Sequence, residues 1–303
     1  MSEPVDPTSF LFVTLDSCRF DTFVSADLPN LSEVGAVVRA HAPGNFTYSS
    51  HAAMFMGFTP GDATSDAPFV NPKVGKIFRV QSAQTFPDAD AFAVLSGRNV
   101  LDGLGRLGFR RIGTGAAGWF DTSTLTGQAL TCDFDDFWHP GNLYSLRRQV
   151  AWILDRIHDR GPVFAFLNVG ETHAPYYFDG APWSPDHNPC RPFGTSNDAD
   201  ESRRRQRACL EHADEVLAPL LDAFAGANTV VCADHGDAWG EDGLWEHGIH
   251  HETVLVVPLI LRLQNRPRPS AIGPLAEEAA RAPVRLLRKM QHRLHVRSIR
   301  PNR

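Results

Sequence analysis

The residues best suited to chemistry fall where apolar runs end. Phe10-Leu11-Phe12-Val13-Thr14-Leu15 ends in Asp16, Val163-Phe164-Ala165-Phe166-Leu167-Asn168-Val169 in Gly170-Glu171-Thr172-His173, and Thr229-Val230-Val231-Cys232-Ala233 in Asp234-His235. Runs this short, apolar and β-rich are those of strands buried on both faces of a parallel sheet. Open α/β sheets bind ligands just beyond the carboxyl ends of such strands. Each residue alone has an ordinary use, since Asp caps helices and both Asp and His turn chains. Together they offer two carboxylates and an imidazole along one sheet edge. Mixed oxygen and nitrogen donors of this kind suit Zn²⁺ or Mn²⁺, and admit Mg²⁺ or Ca²⁺ where water completes the shell.

The fourth element is Pro43-Gly44-Asn45-Phe46-Thr47-Tyr48-Ser49-Ser50-His51, leading into Ala52-Ala53-Met54-Phe55-Met56-Gly57. A Gly-Asn turn delivers hydroxyl residues to the start of an apolar helical run, with Gly57 as a stop. Thr47 is expected to cap this helix. A hydroxyl there also sits at the positive end of the helix dipole, where an oxyanion binds. A metal touching its oxygen lowers its pKa and turns a poor nucleophile into a competent one.

The elements that must hold these residues follow from the pattern between them. A second strand is expected over 34–42, a loop over 58–75, a strand over Lys76–Ser82 with Val74 before it, and a helix over Asn99–Leu107. Arg110–Gly115 reads as a strand opening into the small-residue loop Gly115-Ala116-Ala117-Gly118-Trp119-Phe120, where a substrate could approach the backbone. Leu146, Val150, Ile153, Leu154 and Ile157 form one face of a helix over Asn142–Arg160. A Pro-rich loop over 179–200 precedes a second long helix, Glu201–Phe224, and a last strand spans Val254–Leu263. Trp119, Tyr176, Trp183 and Trp239 are the expected pocket walls. No internal repeat is present.

At 303 residues, 43 % apolar and 21 % charged, the chain has an ordinary globular composition. A net charge of −6 argues against nucleic acid as the partner. No run approaches the length of a membrane span, and the first nine residues are no leader, so the expected setting is cytosolic. Cys18, Cys132, Cys190, Cys209 and Cys232 are odd in number and lack C-x-x-C spacing, as in a reducing compartment. From Arg262 on, eleven Lys/Arg stand against Glu277 and Glu278. Residues 266–303 are therefore read as a basic tail separate from a catalytic domain over 1–265. The span Pro274–Val296 would be a helix packed on the domain with a frayed end, or a contact for an acidic partner or membrane surface.

The four motifs, in order, resemble those of the alkaline phosphatase superfamily, most closely its sulfatase-like branch. They are Phe-Val-Thr-Leu-Asp16-Ser-Cys-Arg19, Thr47-Tyr-Ser-Ser-His51 with Gly57, Thr-His173-Ala-Pro-Tyr176, and Asp234-His235-Gly-Asp followed by Gly-Leu-Trp-Glu-His247-Gly. The resemblance spans about residues 9–263. It implies an α/β fold, a three-layer α/β/α sandwich on a mostly parallel sheet, with the usual C-terminal subdomain reduced or absent. It implies that Asp16, Asp234, His235 and Thr47 hold one divalent metal and that Thr47 is the nucleophile. By the same resemblance His51 binds the substrate oxyanion or holds Thr47, His173 serves the leaving group or an oxyanion, and His247 contacts the transferred group. Arg19 fits the pattern as a substrate contact or a structural residue.

The departures carry as much weight. Thr47 stands where sulfatases need Cys or Ser for conversion to formylglycine, and Thr cannot be converted. Thr is the nucleophile of phosphodiesterases, nucleotide pyrophosphatases and phosphoethanolamine transferases of the superfamily. Two-metal members carry Asp where this chain has Val169, which leaves a second ion to His173, His247, Glu171 or His250. The expected activity is hydrolysis or transfer of a small anionic phosphoester, a diester or other monoanion, through a phosphothreonine. A sulfuric-ester or phosphonate hydrolase without formylglycine is the alternative within the class, and a non-catalytic metal-binding partner protein the alternative outside it.

Overall fold

The computed structural model describes residues 5–56, 99–157 and 161–264. Its centre is β1 (Phe10–Leu15), flanked by β5 (Val163–Val169) and β6 (Asn228–Ala233), both parallel to it. Every residue of β5 is buried, as its unbroken apolar run requires. The register is level: Leu15 lies opposite Val169 on one side and Ala233 on the other. Asp16, Gly170 and Asp234 therefore emerge side by side. β3 (Arg110–Gly115) and β4 (Asp136–Trp138) extend the sheet in parallel beyond β5. Beyond β6, β7 (Val256–Arg262) runs antiparallel, followed by β2 (Val37–His41) at the edge.

Helices cover both faces. On one, α1 (Phe20–Ser25), α2 (Pro29–Val34), α6 (Leu146–Leu154) and α7 (Ala199–Ala223) bury Phe23, Leu31, Val150, Ile153, Leu210 and Leu217 against Leu11, Val13, Leu167 and Val231. On the other, α3 (Thr47–Met56), α4 (Val100–Arg106) and α5 (Leu125–Thr131) pack Tyr48, Phe55, Leu101 and Leu130 against Phe164 and Phe166. This is the expected three-layer sandwich with a mostly parallel sheet. Burial of each large apolar side chain contributes about 1.5–3 kcal/mol, so the two cores hold the strand ends rigidly.

Several boundaries move for local reasons. The strand expected over 34–42 starts at Val37, because Pro29 opens α2, which claims Val34. The helix expected over 142–160 shortens to Leu146–Leu154, its first turn being tied to Glu171. The long second helix begins two residues early, where the Asp198 carboxylate accepts from Glu201 N at 2.9 Å. A four-residue helix, α8 (Glu252–Leu255), precedes the last strand. α1, α2, α5 and β4 have no counterpart in the sequence reading. The expected loop over 58–75, the strand over Lys76–Ser82 and the basic tail lie outside the described residues.

Candidate active site

Asp16, Thr47, Asp234 and His235 converge at the level strand ends. All four are buried, with exposure of 1 % or less. Asp234 Oδ1 accepts from Ser17 N at 3.1 Å and His235 N at 2.9 Å, whereas its Oδ2 is enclosed without a hydrogen-bond partner. His235 donates through Nδ1 to Gly236 O at 3.0 Å. That leaves Nε2, 3.6 Å from Asp234 Oδ2 and 3.8 Å from Asp16 Oδ1, as the outward nitrogen. Thr47 Oγ1 lies 3.3 Å from this nitrogen and 3.4 and 3.5 Å from the two Asp16 oxygens.

An orphaned buried carboxylate oxygen demands a partner. Burial, reinforced by the neighbouring Asp16 charge, pushes the Asp234 carboxyl well up. Burial pushes the His235 imidazole well down, with the His247 charge adding to it. Two carboxylates packed together beside a neutral imidazole form a set that a cation would stabilise. Donors on a tetrahedron with metal bonds of about 2.0–2.2 Å stand roughly 3.3–3.6 Å apart, and the distances found here fit that scale. Asp16, Thr47, Asp234 and His235 are the residues that would hold a divalent metal ion.

Thr47 is not the cap of its helix. Phe46 O receives the first helical hydrogen bond, from Ser50 N at 3.1 Å, so Phe46 is the cap and Thr47 the first helical residue. Its hydroxyl faces the carboxylates instead. Gly44 makes this entry possible, because a Cβ there would stand 2.2 Å from Ser49 Oγ and 2.7 Å from Ser50 N.

His51 lies beneath Thr47 and touches no open space. Its Nδ1 donates to Thr47 O at 2.7 Å, and its Nε2 accepts from the Thr14 hydroxyl at 2.9 Å. Phe55, Phe120 and Phe166 surround the ring. Burial lowers its pKa to about 4 against the pull of the Thr47 carbonyl and the Asp16 charge. With both nitrogens engaged, His51 holds Thr47 and offers nothing to a substrate oxyanion. Arg19 is likewise pinned: it pairs with both Asp21 oxygens, donates to Asp237 O at 3.0 Å and Glu241 Oε1 at 2.8 Å, and stacks on Trp239 at 4.3 Å. It ties loops together through four of its five guanidinium N–H groups.

His247 and His173 stand at the mouth. Their ring centroids are 5.1 Å apart, and His247 lies 4.4 Å from His235. His173 Nδ1 donates to Ala174 O at 2.7 Å, which leaves Nε2 for a ligand. His247 Nδ1 donates to Asp237 Oδ1 at 2.8 Å. Burial opposes charge on His247, but the Asp237 hydrogen bond and the Asp237, Glu246 and Asp16 carboxylates outweigh it and push its pKa up to about 9. The oxygens of Asp237 are thus occupied. His235, Asp237 and His247 have donor atoms within 4.8 Å of one another; of the three, His247 and Asp237 are hydrogen-bonded to each other, and the second Asp237 oxygen accepts from the Tyr176 hydroxyl. Val169 is buried, Glu171 accepts from Leu146 N at 2.8 Å through one oxygen, and His250 is exposed.

Four residues that the sequence reading passed over complete the site. Asn168 donates to Thr14 Oγ1 at 3.4 Å and Asp16 Oδ2 at 3.3 Å, linking the carboxylate beside Thr47 to the hydroxyl that holds His51. An amide inside an apolar strand was its signal. Thr172 donates to Asp16 O at 2.7 Å. Gln206, mid-helix in α7, donates to Ser17 O and Thr172 O and accepts from Arg19 N. Asp237, already inside the Asp-His-Gly-Asp motif, braces His247. Of the expected walls, Tyr176 and Trp239 are core residues, and Trp183 donates to Tyr176 O at 2.8 Å. Trp119 packs on Phe46 and Tyr48, beside Thr47.

No family model matches the chain, and no curated protein is significantly similar to it in sequence. Solved structures do match. The C-terminal periplasmic domain of the phosphoethanolamine transferase EptC from Campylobacter jejuni aligns over 86 % of this chain and 83 % of its own, at 14 % identity and a TM-score of 0.55. The corresponding Escherichia coli domain in complex with Zn aligns over 88 % and 78 %, at 10 % identity and a TM-score of 0.54. A phosphonate monoester hydrolase of Agrobacterium radiobacter aligns over 84 % and 68 %, at 14 % identity and a TM-score of 0.53. The chain therefore has the α/β fold of these transferase and hydrolase structures.

Proposed function

We propose that the chain is a metal-dependent phosphoester hydrolase or transferase with Thr47 as its nucleophile. The observation that carries this reading is the buried Thr47 hydroxyl, held 3.3–3.5 Å from Asp16 and His235 beside the unpartnered oxygen of Asp234. The metal, when bound, lowers the pKa of the Thr47 hydroxyl and neutralises charge on the transferred group. Thr47 Oγ1 attacks phosphorus in line, forming the Oγ–P bond as the bond to the leaving oxygen breaks. The positive N-terminal end of α3 and the imidazolium of His247 bind the non-bridging oxygens. His173 carries the proton for the leaving oxygen on Nε2. Water or an acceptor alcohol then resolves the phosphothreonine.

One metal with histidine donors matches a monoanionic diester better than a dianionic monoester. The zinc-bound transferase domain supports Zn²⁺, with Mn²⁺ an equal fit to the donor set. The cytosolic setting rests on the cysteines, all five of which are free. No helix among the described residues is long and apolar enough to cross a membrane. Turnover of matched aryl phosphodiester, phosphonate and sulfate esters tests the reading, with the diester expected to lead. Thr47→Ala and Asp234→Asn should each lower turnover by about 10⁴-fold or more. Unchanged turnover in either would end the assignment.

A further inference from the structure

Behind His247 runs a line of buried polar groups that the proposed reaction does not consume. His247 Nδ1 donates to Asp237 Oδ1 at 2.8 Å, the Tyr176 hydroxyl donates to Asp237 Oδ2 at 2.7 Å, and the Trp239 indole donates to the Tyr176 oxygen at 2.8 Å. Asp237 and Tyr176 are fully enclosed and Trp239 nearly so. Polar groups in such a place form a rigid line only because each has its partner. Asp237 accepts twice, so its carboxylate plane is fixed, and with it the plane of the imidazole that it holds.

The line also reaches the other histidine. Tyr176 lies three residues after His173, and Tyr176 N donates to His173 O at 2.7 Å. Its φ of +57° is a left-handed conformation that a bulky residue adopts only where the surroundings impose it. The geometry points to Tyr176 as a positioning residue. Through Asp237 it aims the His247 ring, and through the turn at its own amide it sets the distance between His247 and His173. A single hydroxyl thus coordinates the group that binds the transferred oxygens with the group that serves the leaving oxygen. This inference rests on the reaction proposed above.

Tyr176→Phe keeps the ring and removes the hydroxyl. With the Zn²⁺- or Mn²⁺-loaded protein and an aryl phosphodiester, kcat should fall about tenfold while KM and metal affinity hold. In a His247→Gln background the same substitution should cost nothing further, because the hydroxyl acts through that ring. A purely structural tyrosine would cost the same in both backgrounds, and that result would overturn the proposal, as would an unchanged kcat in Tyr176→Phe. Should Tyr176→Phe fail to fold, Trp239→Phe carries the test from the far end of the line. A smaller loss, again absent with His247→Gln, is expected, and no loss overturns. Thr47→Ala separates the two ideas: if it stays active, the reaction and the brace fall together. If it is inactive while Tyr176→Phe keeps full kcat, the brace alone falls.

Discussion

His51 and His247 are drawn into the same site, one neutral and the other cationic. His51 sits among Phe55, Phe120 and Phe166 with a hydroxyl and a carbonyl for partners, and its pKa falls to about 4. His247 is also largely covered, yet the Asp237 carboxylate raises its pKa to about 9. Burial acts against charge in both; the partner decides which wins. The neutral histidine below holds Thr47, and the cationic one above would meet the anion in the proposed reaction. Position in the fold, not residue type, separates scaffold from ligand here.

The widest break in that comparison should come from removing each ring. His247→Gln is expected to lower kcat/KM for an anionic ester by about 10²–10³-fold without lowering the melting temperature. His51→Ala should destabilise the protein by about 2–4 kcal/mol, by leaving the Thr14 hydroxyl proton without its acceptor and opening a cavity among the aromatics, with activity lost in parallel. Calorimetry beside kinetics checks both, and a His51 variant of full stability would remove the distinction.

A pH profile sharpens the contrast. His247 is charged below about 9 and loses its charge as pH rises through that value, so kcat/KM should fall on an alkaline limb near 9. In Asp237→Asn the limb should move towards the ordinary histidine value of about 6.5. A limb that stays in place assigns it to another group. No limb from His51 is expected between pH 5 and 8.

A smaller effect is expected at Glu171, which accepts from Leu146 N while its second oxygen has no partner. Burial lifts its pKa from 4.5 to about 7. A raised carboxyl favours the protonated folded state, so its contribution is greatest at low pH and declines between about 4.5 and 7. The decline is at most about 3 kcal/mol, levelling off above that window. Glu171→Gln should therefore gain stability relative to the wild type as pH rises from 5 to 8, read by chemical denaturation. A constant difference across that range would refute it.

The parts of the fold legible in the sequence were those with a single dominant cause. Three unbroken apolar runs can be little other than buried parallel strands, and their ends name Asp16 and Asp234-His235. α1 and α2 are six residues each, too short for a helical period to show, and β4 has only three. Residue roles were harder to read, because a motif gives position without partners. His51 and Arg19 fit a pattern for substrate contact, but each spends its donors on its own chain. Gln206 lies in the middle of a 25-residue helix, where nothing in its neighbours distinguishes it. Long-range partners are visible only once the chain is folded.

The level register of β1, β5 and β6 makes the site a matter of counting. One residue inserted in β1 would carry Asp16 about 3.3 Å along the strand and turn every following side chain to the opposite face. Exchanges among Val, Ile and Leu in these strands should cost little by comparison. Length, more than composition, is the quantity these three strands have to keep. A library of such proteins should tolerate many apolar spellings of each strand and no insertion or deletion in any of them.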